Sequence, residues 1–160
     1  MPHTNLKLYT IHMLYLPHFL TGATILKLAP NPIVGLPLAL LSHFILDLTP
    51  HNDFDLRPGM KLRDFFHSEP RKRNLIITVL SIDYLFTAVA FLWILTTYKD
   101  MMFLAGGIAG VFPDALEQTL MLFGIPLPGW QDKLQWRVSA KYGFISYPIV
   151  SAIAIYFLIT

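Results

Sequence analysis

The chain has 160 residues, enough for one domain, and is 54% hydrophobic. Only 14% of its residues are charged, against roughly 25% in soluble domains. It has no cysteine, which excludes disulfides, thiolate metal sites and cysteine nucleophiles, and its formal charge of +2 is too small and too focused on loops to suggest nucleic acid as a partner.

The N-terminus lacks a basic cluster and a small-x-small cleavage site, and it contains Pro17 and His18, so it is read as retained rather than removed. Five apolar segments follow, each near the ~20 residues that cross a hydrocarbon core. They run from about 9 to 28, 33 to 49, 74 to 98, 101 to 125 and 142 to 159. The turn Ala29-Pro30-Asn31-Pro32 joins the first two as a candidate hairpin, and the second, the shortest, could be re-entrant. Lys99-Asp100 joins the third and fourth. The expected fold is all-α, an integral membrane bundle of about five transmembrane helices in a single domain over 1–160. Gly106 and Gly110 form a small-xxx-small pair suited to close helix packing. Trp130 and Trp136 sit where an interfacial aromatic belt would place them.

If all five segments cross, the N-terminus and the loops 50–73 and 126–141 share one side. That side holds Lys7, Arg57, Lys61, Arg63, Arg71, Lys72, Arg73, Lys133, Arg137 and Lys141, and the other holds only Lys27 and Lys99. The positive-inside bias therefore predicts a multi-pass protein of the cell (inner) membrane, with a cytoplasmic N-terminus and a non-cytoplasmic C-terminus.

Ionisable groups inside spanning helices are costly and usually face the bundle interior. Here they are His18, His43, Asp47, Asp83, Asp114 and Glu117, with His51 and Asp53 just past the second segment. Counting residues from the expected helix ends puts His18, Asp83 and Asp114 about 14 Å deep and His43 about 9 Å deep. Four helices thus bring polar groups to one band in the cytoplasmic half. His43 and Asp47 are spaced i,i+4, and Asp114 and Glu117 i,i+3, so each pair shares a helix face. A set of imidazoles and carboxylates suits zinc, manganese or iron more than calcium, and zinc is the first expectation. Pro17 and Pro113 each precede a polar residue and can open the helix there.

Blander roles stand beside these. His43 could hydrogen-bond a backbone carbonyl, Asp83 could pair with a histidine or Tyr84, and Asp47, His51 and Asp53 could be interfacial. His67 lies in a basic loop where a solvated role fits, and Arg71-Lys72-Arg73 fits a topology anchor.

The chain resembles the small, predicted membrane-bound metal-dependent hydrolases of the YdjM-like group. Three blocks carry the resemblance: Pro17-His18 with Gly22; Ser42-His43-Phe44-Ile45-Leu46-Asp47-Leu48-Thr49-Pro50-His51 with Asp53; and Gly106-Gly107-Ile108-Ala109-Gly110-Val111-Phe112-Pro113-Asp114. The HxxxDxxPH block is the most specific. The resemblance implies a helical membrane protein binding a divalent metal, often zinc, with His18, His43, Asp47, His51 and Asp114 as ligand candidates.

The expectation is a membrane-embedded metal-dependent hydrolase with Glu117 or Asp83 as general base. The lipid bilayer is its partner, and its substrate is an amphiphile with an anionic headgroup, such as a lipid phosphate or ester. Two other readings remain open: an ion- or proton-conducting or transport protein, and a non-catalytic protein whose metal or polar cluster holds the helices together.

Overall fold

Two prolines set the first hairpin. Pro30 cannot continue a helix and Pro32 starts one well, because its missing N–H falls where a helix has no partner for it. In the computed structural model, which describes residues 14–49, 62–125 and 140–160, α1 (Tyr15–Leu28) ends at this turn and α2 (Pro32–Asp47) leaves it. The Asn31 side chain caps α2, accepting from the Ile33 N–H at 3.0 Å. A short helix, α3 (Leu62–Phe66), precedes α4 (Pro70–Tyr98), and α5 (Met101–Leu122) and α6 (Ala140–Ile159) complete the chain. The turn into α5 is tight: Lys99 takes a left-handed conformation (φ 52°), and the Asp100 carboxylate accepts from the Met102 N–H at 2.8 Å.

The described residues form α-helices and no strand, in keeping with the all-α expectation. The bounds differ most in two places. α1 begins at Tyr15 rather than near residue 9, which puts Pro17 in the first turn, where its lack of an N–H removes no ladder bond. The segment 50–73, expected as a loop, contains α3 and the first turn of α4. Residues 1–13, 50–61 and 126–139, including His3, His12, His51, Asp53, Trp130 and Trp136, lie outside the described residues.

α1 is the hub. It packs against α2, α4, α5 and α6, and Pro17, His18, Phe19, Leu20, Gly22, Ala23, Thr24 and Leu26 are all buried. Its closest neighbour is α5, because both helices present glycine at the crossing. A Cβ on Gly22 would run into the Gly106 carbonyl and lie 3.2 Å from the Gly110 Cα, and one on Gly110 would collide with the His18 carbonyl. Gly107 leaves room for the Phe19 ring in the same way. The small-xxx-small pair read from the sequence therefore does pack against a partner helix, and Gly22 is the third member.

At the other end of α1, Lys27 Nζ donates to the carbonyls of Phe157 (3.1 Å) and Leu158 (2.7 Å) at the end of α6. The Tyr98 hydroxyl at the end of α4 donates to the same Leu158 carbonyl. These donors satisfy carbonyls that a helix C-terminus leaves unpaired. The ends of α1, α4 and α6 therefore lie level.

The interior is polar as well as apolar, while large apolar side chains cover the exterior: Ile33 is 82% exposed, Leu85 63% and Ile153 54%. Among the described residues, α4 is the one helix long and apolar enough to cross a membrane, and α2 and Phe144–Ile159 are shorter apolar helices.

Because the α1–α5 crossing has no space for a side chain, Gly110→Val is expected to destabilise the protein by about 1–3 kcal/mol. Thermal unfolding in detergent measures this, with Ile149→Val on the exposed face of α6 as the near-neutral control.

Candidate metal centre

Three helices bring four ionisable side chains to one point. His18 comes from the first turn of α1, His43 and Asp47 from successive turns of α2, and Asp114 from α5 just after Pro113. All are buried: His18 and Asp114 are 0% exposed, His43 1% and Asp47 5%. The α1–α5 glycine contact sets the separation, since it lets the backbones of His18 and Gly110 touch one helical turn before Asp114.

The imidazole nitrogens and carboxylates face each other. His18 Nε2 lies 3.4 Å from Asp47 Oδ1 and 4.0 Å from Asp114 Oδ2. His43 Nε2 lies 3.3 Å from Asp47 Oδ2 and 3.5 Å from Asp114 Oδ1. The two rings stack at 4.3 Å between centroids, tilted by 34°. Charge-assisted N–H···O bonds run about 2.7–2.9 Å, so most of these pairs stand too far apart to be good ion-pair hydrogen bonds. His18, His43 and Asp114 form a buried group whose donor atoms lie within 4.8 Å of one another and could hold a metal ion.

Two further features fit that role. His43 Nδ1 is 3.1 Å from the Gly110 carbonyl. A ring nitrogen that donates there leaves Nε2 with a lone pair aimed into the cluster, the usual way a second partner fixes a metal-binding imidazole. The backbone-carbonyl role weighed for His43 is thus real, and it belongs to the other nitrogen. Both ring nitrogens of His18, and Asp47 Oδ1, are buried without a hydrogen bond. Two neutral imidazoles and two carboxylates carry a charge of −2, which a divalent cation would neutralise.

The remaining site candidates divide. Glu117 is buried (3% exposed) one turn beyond Asp114. Asp83 is buried on α4, but its carboxylate accepts the backbone N–H groups of Tyr15 (2.7 Å) and Leu16 (3.1 Å). It therefore meets backbone rather than the histidine or Tyr84 side chain considered as its partner. His51 is outside the described residues. His67 is exposed, with Nδ1 2.7 Å from the Arg63 carbonyl, as its solvated reading supposed.

Sequence reasoning missed the Gly110 carbonyl, the fit of Gly107 around Phe19, and the contact between Asp83 and the start of α1. Only the glycines left a trace in the sequence, as the cluster Gly106-Gly107 and Gly110 ahead of Pro113-Asp114. Comparison with known protein families, with curated proteins and with solved structures gives no match.

Asp114→Asn removes one carboxylate charge from the cluster without changing its size. Affinity for a divalent cation is expected to fall by about 100-fold or more, measured by competition with a chromogenic chelator.

Proposed function

We propose that this chain is a membrane-embedded, metal-dependent hydrolase of the kind its His18, HxxxDxxPH and Gly-Gly-x-x-Gly-x-x-Pro-Asp blocks resemble. The observation that carries the reading is the convergence of His18, His43, Asp47 and Asp114 at metal-ligand spacing inside a bundle with an apolar exterior. Buried charge with exposed Ile, Leu and Phe on the outer faces is the reverse of a soluble core and suits a bilayer. The proposed topology has five spans, with α1 and α2 as a helical hairpin. The N-terminus and the site mouth face the cytoplasm, and the C-terminus is non-cytoplasmic.

Zinc is the proposed ion, since a set of imidazoles and carboxylates suits it, with manganese or iron as the alternatives. A divalent ion there would lower the pKa of a bound water to about 7 and polarise a substrate oxygen. The chain's own residues supply the rest. His18, His43 and Asp114 would hold the ion with Asp47 beside the two histidines, and the Gly110 carbonyl orients His43. Glu117, one turn from Asp114, is the proposed general base. Arg71, Lys72 and Arg73 at the start of α4 would attract an anionic headgroup, so the proposed substrate is an amphiphilic phosphate or ester.

A second reading keeps the same cluster without catalysis. Two protonated histidines and two carboxylates would be neutral overall and could tie α1, α2 and α5 together, although the 3.3–4.0 Å separations are long for that.

Elemental analysis of protein purified without chelator decides between them. About one divalent ion per chain is expected in the wild type and much less in His43→Ala and Asp114→Ala. A metal-free wild type would sink the hydrolase reading and leave the ion-paired cluster. For catalysis, Glu117→Gln is expected to keep the metal and lose about 100-fold or more in phosphate release from a lipid panel. A reporter fused after Thr160 is expected to be active only outside the cytoplasm.

A further inference from the structure

α4 contributes no member of the histidine–carboxylate cluster, yet it holds a buried carboxylate. Asp83 is 4% exposed, and its two oxygens accept the N–H groups of Tyr15 and Leu16 at 2.7 and 3.1 Å. These are the first two N–H groups of α1, and Leu14 ahead of them offers no side-chain cap. The next residue reaches the other way: the Tyr84 hydroxyl donates to Gln118 Oε1 on α5 at 2.6 Å. Its ring also lies edge-on against Tyr15, 5.1 Å between centroids. Tyr15 is one turn before His18, and Gln118 is one turn after Asp114.

The levels of the helices explain why such a bracket is needed. α1, α4 and α6 end together where Lys27 and Tyr98 meet the Leu158 carbonyl. From that end, α1 rises about 21 Å and Asp83 lies about 22 Å up α4, which continues about 20 Å further. With a hydrocarbon core about 30 Å thick, α1 would start about 8 Å below the membrane surface. Helix N–H groups at that depth have no water and must be satisfied by protein. A carboxylate suits this place doubly, since it accepts two N–H groups and its charge opposes the positive end of the helix dipole.

We infer that Asp83, together with Tyr84, is a positioning residue for the metal centre. It fixes where α1 begins and how it is rotated, and so holds His18 against Asp47 and Asp114. Its bearing on metal affinity rests on the metal-site reading proposed above, whereas its hold on α1 does not.

The test uses the full-length protein in detergent, with Zn²⁺ alone as the probe, at a temperature where circular dichroism finds every variant folded. Asp83→Ala is expected to weaken Zn²⁺ binding about 10–100-fold, as loss of a ligand-orienting partner does. Asp83→Asn retains one acceptor oxygen and is expected to lie between wild type and Asp83→Ala. If Asp83→Ala does not fold, Asp83→Asn and Tyr84→Phe carry the test, each expected to weaken binding by about 3–10-fold. The metal-independent readout is amide hydrogen exchange in the first turn of α1, expected to quicken about 10-fold or more in Asp83→Ala while α6 is unchanged. Wild-type exchange and wild-type Zn²⁺ affinity in Asp83→Asn and Tyr84→Phe overturn the inference. So does Asp83→Asn with full metal affinity and no hydrolysis, which would make Asp83 the general base. If wild type binds no Zn²⁺ but α1 still frays in Asp83→Ala, the metal reading falls and the bracket stands.

Discussion

Two carboxylates and two imidazoles meet in the buried interior, and the surrounding packing is arranged around that cost. A buried carboxylate is tolerable only if an opposite charge or several donors face it. Asp47 and Asp114 face His18 and His43 instead of solvent, at separations set by three helices. Each helix is held by a different device. The glycines bring α1 and α5 into backbone contact, the capped two-proline turn returns α2 alongside α1, and the Gly110 carbonyl aims the His43 ring.

Several polar contacts outside the cluster serve helix ends. Lys27 and Tyr98 close the end of α6, Asp100 and Asn31 start α5 and α2, and Asp83 starts α1. On the proposed membrane reading this is the expected economy, because ends that would be satisfied by water in a soluble protein must find partners within the bundle. It also separates two kinds of buried carboxylate. Asp83 has both oxygens committed to backbone donors at short distances. Asp47 and Asp114 instead face the ring nitrogens of His18 and His43 at 3.3–4.0 Å, and His18, His43 and Asp114 form a group that could hold a metal ion.

Much of this was legible in the chain itself. The all-α class followed from the apolar runs, and the hairpin from its prolines. The i,i+4 spacing of His43 and Asp47 placed them on one face whatever surrounded them, and Gly106 with Gly110 announced a close crossing. These are local properties, set by helix geometry and by the residues that cannot enter a helix. The expectation that polar groups share a level was also readable from counting along helices, because the rise per residue is fixed.

Which groups actually touch was not. Depth alone did not separate His18, Asp83 and Asp114, three ionisable residues at similar depth on three helices, although the family resemblance gave His18 and Asp114 as ligands and not Asp83. Rotation of each helix about its axis separates their fates, turning Asp114 toward His18 and His43 and Asp83 toward the first turn of α1. That rotation is decided by side-chain packing between segments far apart in the chain, such as Gly22 against Gly106 and Tyr84 against Gln118. The sequence by itself determined the helices, their order and the residue types available for a metal site. Only the tertiary structure decided which of those residues form the site and which hold it in place, because contact depends on how helices turn toward each other.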